Sequence, residues 1–457
     1  MILNRPLTTE DCKSSQKSLY IFNIINGFSY MCLGETLIIL LAVKILMPDT
    51  LIAALGAMQF IGYLLLPLGV MRTAKVGAAQ CQADFWVVRN VAALLTVAAA
   101  FIATKFTGIG WGIFLFAAFI FYGCRAAGVV MWQPLLGQIT NDEDRGQFIS
   151  RCCGAFYLFG VISLIIVSMI VQFNDSLYVL CGVVTLGATL GMTAARFIRG
   201  VRETDEVLQS AKKKLLPQFK DCLKNSDITN QLFAVFWLTV AVVTILPISV
   251  LVIKKGYGFT DTQSLFFSAV QFIACFSISF LTAKFAAKKG PRLQLLLGYV
   301  GFFVVILLWL LVPFTNLWMI IPISIVAFFL NGYSFIMANN ALQTYFLMTV
   351  PKTQQVVTAI LVNVLGSCCA GLVGMLIAGS LLKLSPILEP QVFLLVQRYF
   401  PSVMKQTLIY KIYFAMLLPI LFIGLYWICK IRNINASLKE NLCEEKLKEN
   451  IISKDND

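Results

Sequence analysis

The chain has 457 residues, 59% of them hydrophobic and 13% charged, and its mean hydropathy is +0.83. Soluble globular chains carry about 25% charged residues, so this one is read as an integral membrane protein. Its length leaves no room for a large soluble domain beside the spanning helices. The formal net charge is +14 and histidine is absent, which argues against a zinc site. The thirteen cysteines read as small polarisable packing residues.

A spanning helix takes roughly 20 apolar residues. Twelve apolar stretches meet that requirement: 18–45, 51–71, 84–104, 110–133, 150–172, 176–196, 230–253, 264–286, 292–313, 317–345, 354–383 and 409–430. The first is too long for the apolar core of a signal peptide and is read as a retained helix. Residues 1–196 and 230–430 form two six-helix bundles, joined by a polar linker over 197–229 and followed by a charged tail over 431–457.

Lysine and arginine placement gives the orientation. With the N-terminus in the cytoplasm, that side holds 26 basic residues and the opposite side 8, with Arg89 and Arg125 inside helices. Both termini and the linker are therefore expected to be cytoplasmic. The basic excess faces anionic headgroups, so membrane lipid is the expected partner and nucleic acid is not.

In the first helix, Asn23, Asn26 and Tyr30 share one face, while Glu35 points about 140° away from Tyr30 at 100° per residue. Arg89 lies about one turn inside the third stretch and is expected to snorkel to the cytoplasmic interface. The fourth stretch holds Arg125 in an apolar setting, with Gly128 and Trp132 on the same face and Gln133 beyond. A charge in hydrocarbon is costly unless paired or wetted, so Arg125 is a functional candidate. Glu35 sits roughly 25 Å from the cytoplasmic start of its helix and Arg125 roughly 18 Å from its own cytoplasmic end. That is close enough in depth for a carboxylate that takes a proton or binds solute, or for a permanent bridge. A tight loop, Asn141 to Gly146 with Asp142 and Arg145, follows.

The tenth stretch carries Asn331, Asn339, Asn340 and Gln343. Amides are tolerated in a wet cavity, and they also serve as glue between helices. Residues 385–406 have flanking prolines and apolar content that suggest a short interfacial helix on the outer side.

The chain also repeats itself. At an offset of 212, Asp49-Thr50 falls on Asp261-Thr262, Gln59-Phe60-Ile61 falls on Gln271-Phe272-Ile273, and Arg72 falls on Lys284. Gln133 and its loop fall on Gln343 at nearly the same offset. Two parallel six-helix halves joined by a cytoplasmic linker resemble the major facilitator superfamily of transporters, over nearly the whole length. Arg125-Ala126-Ala127-Gly128 resembles the family's R-x-x-x-G-x-G element, one residue short, and Asp142 to Gly146 resembles its acidic-then-RG loop. In the loop after the second helix Gly69 is in place, but Thr73 and Gly77 occupy the acidic and first basic positions. The fifth helix lacks the Gly-Pro-Gly signature of many antiporters.

The resemblance implies an all-α membrane fold whose first, fourth, seventh and tenth helices line a central cavity. It implies a monomeric secondary active transporter of the bacterial inner membrane, moving a small polar solute by alternating access. The expected solute and coupling residues are Arg125, Glu35, Asn331, Asn339, Asn340, Gln343, Trp132, Tyr30 and Asn26. The loops holding Asp142, Arg145, Gly146, Arg72 and Lys284 would act as inner latches. A proton through Glu35 is the favoured coupling ion, with sodium or uncoupled diffusion as alternatives, and no cofactor is expected. Rival readings are an exporter of apolar or amphipathic compounds and a non-transporting sensor or lipid-handling protein. No enzyme motif is present: there is no Gly-x-Ser-x-Gly elbow, phosphate loop or dense acidic cluster.

Overall fold

The computed structural model describes residues 2–3, 5–140, 142–212, 222–350, 355–400 and 403–433. Among them, twelve helices are long and apolar enough to cross a membrane. They are α1 (Thr9–Lys44), α2 (Asp49–Val76), α3 (Ala78–Ala103), α4 (Thr107–Gly128), α5 (Asp142–Phe173) and α6 (Leu177–Arg199) in the first half. The second half holds α7 (Ser226–Gly256), α8 (Asp261–Lys289), α9 (Pro291–Leu311), α10 (Leu317–Thr349), α11 (Val357–Gln397) and α12 (Lys405–Cys429). An even number of crossings puts both chain ends on one side, the terminal face; the other is the far face.

Several helices are broken where the sequence pattern suggested continuity. α1 consists of Thr9–Cys32 and Glu35–Lys44, interrupted at Leu33 and Gly34. α2 passes through a 3₁₀ turn at Gly62–Leu65, and α7 and α11 carry π turns at Val252–Gly256 and Val362–Cys368. The 3₁₀ turn of α2 packs on the π turn of α11, so two irregular segments meet between the halves. α4 stops at Gly128, and a separate helix, Trp132–Ile139, follows. Gly128 and Trp132 therefore do not lie on one continuous helical face.

Two further expectations change. Asp142 to Gly146 form the first turns of α5 rather than a loop. The outer segment expected as a separate interfacial helix over 385–406 instead extends α11 to Gln397, with Pro386 and Pro390 inside the helix.

At the terminal face, Ile2–Leu3 (β1) pairs in parallel with Glu203–Thr204 (β2) of the linker. Gly77, at φ 87°, turns the chain between α2 and α3. The Glu203 carboxylate then accepts from the free backbone N–H groups of Ala78 and Ala79 at 2.9 and 3.0 Å, where an anion complements a helix N-terminus. Burial nonetheless pushes the Glu203 carboxyl above the ordinary glutamate value. Asp11 pairs with Arg5 at 2.7 Å and with Arg202. Together these contacts fasten the linker to the first half.

Within each half the helices pack on one another: α3 on α4 and α6, α1 on α5 and α6, α10 on α8 and α9, and α12 on α7, α9 and α11. The halves meet along α5 with α8 and α2 with α11. Further contacts between them gather in the pieces nearest the far face, Glu35–Lys44 and Asp49–Ile61, which pack on α7 and α8. A chain of ionic contacts seals that side. Lys44 pairs with Asp175 at 2.8 Å and reaches Asp261 of the second half at 3.3 Å. Lys254 also pairs with Asp261, while Lys255 reaches back to Asp49 of the first half. Tyr410 of α12 donates to Asp49 at 3.0 Å. The molecule is closed at the far face.

Candidate functional site

The site is built where α1, α3 and α4 converge. Asn26 and Tyr30 lie four residues apart, so they stack one turn above the other on α1. Each accepts from an arginine. Arg125 of α4 donates from Nη1 to the Tyr30 hydroxyl at 2.9 Å, and its guanidinium carbon lies 4.8 Å from the centre of the same ring. Arg89 of α3 donates from Nη1 to Asn26 Oδ1 at 3.3 Å, and Trp86 Nε1 donates to the same oxygen at 3.0 Å.

Arg89 is 0% exposed, which overturns the expected snorkelling. The physical reason is that α3 begins at Ala78, six residues before the apolar stretch suggested, which leaves Arg89 roughly 17 Å inside the helix. Its guanidinium sits 4.7 Å from the Trp86 ring, 4.8 Å from Phe121 and 5.9 Å from Tyr30. Aromatic faces attract a cation, but they leave Nε and Nη2 without a hydrogen-bond acceptor. Among the described residues, no carboxylate forms an ion pair with Arg89 or Arg125.

Tyr30 is held from behind by Phe156 of α5, ring centres 5.7 Å apart. That approach needs Gly27, because a Cβ there would collide with the Phe156 carbonyl. Phe156 is followed by Tyr157, which packs against a cluster of α8 and α10 side chains that includes Cys275 and Met337, so the aromatic layer around Tyr30 continues to the second half.

Glu35 is placed elsewhere. It opens the second piece of α1, half-buried, with Gln59 Nε2 at 3.5 Å from Oε2 and no partner for Oε1. Its surroundings are the seam between the halves. Gly56 lies against both Glu35 and Pro247 of α7, and Thr36 shares a 2.6 Å hydrogen bond with Ser268 of α8. Glu35 and Arg125 form no ion pair; similar depth did not make them partners.

The amides of α10 divide. Asn331 is fully buried, donating to Ser249 of α7 at 3.4 Å, and Ser249 also accepts from Trp309 at 3.0 Å. That arrangement joins α7, α9 and α10. Asn339 and Asn340 are half-buried and Gln343 is exposed. Trp132 is half-buried in the terminal-face cluster. Arg72 pairs with Asp84 at 2.7 Å, and Arg199 reaches the same carboxylate at 3.4 Å, so this tie stays within the first half. The side chains of Gln133, Asp142, Arg145 and Lys284, and the backbone of Asn141, lie outside the described residues, and Gly146 is described only as part of α5.

Reasoning from sequence missed Arg89, Gln59 and the far-face lysines as a set. The signal for the last was present in the Asp49 and Asp261 repeat match. For Arg89 the signal was the polar run Gln80, Gln82 and Asp84, which α3 absorbs as its first turns.

The family model of the Major Facilitator Superfamily matches residues 19–375. The chain belongs to that superfamily, and it is a multi-pass membrane transporter. A search of curated proteins returns no match. Among solved structures, the D-xylose-proton symporter is similar at TM-score 0.63 and 13% identity, covering 92% of this chain and 99% of that one. The xylose transporter XylE from E. coli, in a partially occluded inward open conformation, gives 0.63 at 12% identity over 91% and 98%. The nucleoside transporter NupG gives 0.62 at 12% identity over 90% and 98%. At these identities the likeness concerns the fold.

Proposed function

We propose that the chain moves a small polar solute across the membrane by alternating access, with proton coupling through Glu35. The observation that carries the reading is Arg125: a mid-membrane cation held by Tyr30, partly exposed, with no carboxylate partner among the described residues. An intramembrane charge of this kind marks a solute or ion pathway. The sealed far face and the broken α1, α4, α7 and α11 support a rocking exchange between two bundles about a midplane site.

The charge count supports a cytoplasmic terminal face. The lysine and aspartate chain is then the outer closure. Glu35 suits a proton carrier because it sits at the seam that must open, with one oxygen unpartnered. The transporters of xylose and nucleosides with this fold support a polar solute, as do the half-buried amides Asn339 and Asn340. Counterflow of labelled solutes in proteoliposomes, over a panel of sugars, amino acids, nucleosides and organic acids, tests the reading. Exchange of at least one solute is expected, and no exchange for any of them would refute transport.

A further inference from the structure

Resting on the transport reading above, we infer that the solute carries an oxyanion group, a carboxylate or a phosphate, which binds between Arg125 and Arg89. Two guanidinium groups flank one tyrosine ring in the middle of the first half. Their acceptors in the protein are neutral: the Tyr30 hydroxyl and the Asn26 amide oxygen. Nε and Nη2 of Arg89 are buried and unused. Buried charges in proteins are paired or else strongly disfavoured.

Glu35 does not neutralise this pair. Among the described residues it forms no ion pair, and the side chain that hydrogen-bonds it is Gln59, at 3.5 Å. Even with Glu35 ionised, the intramembrane side chains of α1, α3 and α4 carry more positive than negative charge. A neutral sugar or nucleoside would leave that excess uncompensated. A carboxylate or phosphate would accept from the planar forks, whose N–H groups match its geometry. Arg125 is partly exposed and makes the first contact. Arg89 lies deeper, and its free N–H groups become available if the solute displaces its aromatic neighbours as the site closes.

The test measures thermal stabilisation and binding calorimetry of the purified full chain at constant ionic strength. Succinate, lactate, glycerol 3-phosphate and inorganic phosphate serve as oxyanion probes, and xylose and uridine as neutral ones. The carboxylate and phosphate arms distinguish the two forms of the oxyanion. Saturable binding of at least one oxyanion is expected. Arg125→Met should weaken it on the order of a hundredfold, as when one member of a buried charged pair is removed, while Arg125→Lys and Arg89→Lys keep part of the affinity. Size-exclusion behaviour and melting without ligand show that each variant folds.

Binding of xylose or uridine with no oxyanion bound would overturn the inference while leaving transport intact. Binding of no probe at all overturns it too. Oxyanion binding unchanged in both Arg125→Met and Arg89→Met would do the same.

Discussion

Asp49 and Asp261 occupy equivalent positions in the two halves, and each receives a lysine from the half opposite to its own. Lys44, at the end of α1, reaches Asp261 at the start of α8, and Lys255, at the end of α7, reaches Asp49 at the start of α2. The closure is thus duplicated about the pseudo-twofold axis. Lys255 and Asp49 are each about one-third exposed, so that pair contributes about 1 kcal/mol or less. Asp261 is buried beneath two lysines and contributes more. Asp261→Asn should favour the state open at the far face by roughly 2 kcal/mol, a population change of about thirtyfold. Labelling of Thr36→Cys by an impermeant thiol reagent from the far side reads this directly. Faster labelling in Asp261→Asn is expected, and an unchanged rate would remove the latch from the gating equilibrium.

The first-half ion pair that positions Lys44 should hold through mild acid. Lys44, hydrogen-bonded to Asp175, holds that carboxyl below the ordinary aspartate value of 3.8. A lowered carboxyl contributes stability that is present above the ordinary value and lost as pH falls through the lowered one. Accessibility of Thr36→Cys, taken as the labelling rate corrected for the thiolate fraction at each pH, should therefore not change through loss of this pair from neutral pH to about 4.5. A rise centred near pH 6 would point to a different titrating group.

Gly56 permits the seam to close. A Cβ at this position would run into Pro247 of the second half and approach Glu35 Oε1 at 3.2 Å. Gly56→Leu should wedge the far face open at a cost of about 1–3 kcal/mol to the closed state. Faster far-side labelling with native helical content is the expected result. A closed far face in this variant would show that α2 and α7 can separate there without opening the seam.

Coupling is tested at Glu35. Glu35→Gln should abolish accumulation driven by a pH gradient while leaving exchange at equilibrium within severalfold of wild type, because the amide keeps the shape and loses the proton site. Accumulation that persists in this variant would assign coupling elsewhere or show that none exists.

The two-half architecture was legible because hydrophobic length and lysine and arginine placement survive in a single sequence. Arg125 was legible for the same reason, as a charge where none is expected. Helix breaks were not. Leu33-Gly34 and Val129 to Met131 are apolar stretches in which only tertiary contacts decide where helical hydrogen bonding stops. That hid the true partner of Arg125. Continuous-helix geometry set Glu35 and Tyr30 on different faces without showing which one α4 would meet, and the fold chose Tyr30. Arg89 was misplaced because polar residues at the start of α3 made its helix look shorter than it is. Asn331 shows the opposite limit: an amide in a spanning helix reads the same whether it faces a cavity or ties three helices together.

Counterflow in proteoliposomes with wild type and Arg125→Met side by side tests the central claim most directly. Wild type should exchange labelled for unlabelled solute well above protein-free liposomes, and Arg125→Met, folded and correctly inserted, should fall to that background. Equal exchange by both proteins would contradict a pathway through Arg125, and the absence of exchange by wild type would contradict transport itself.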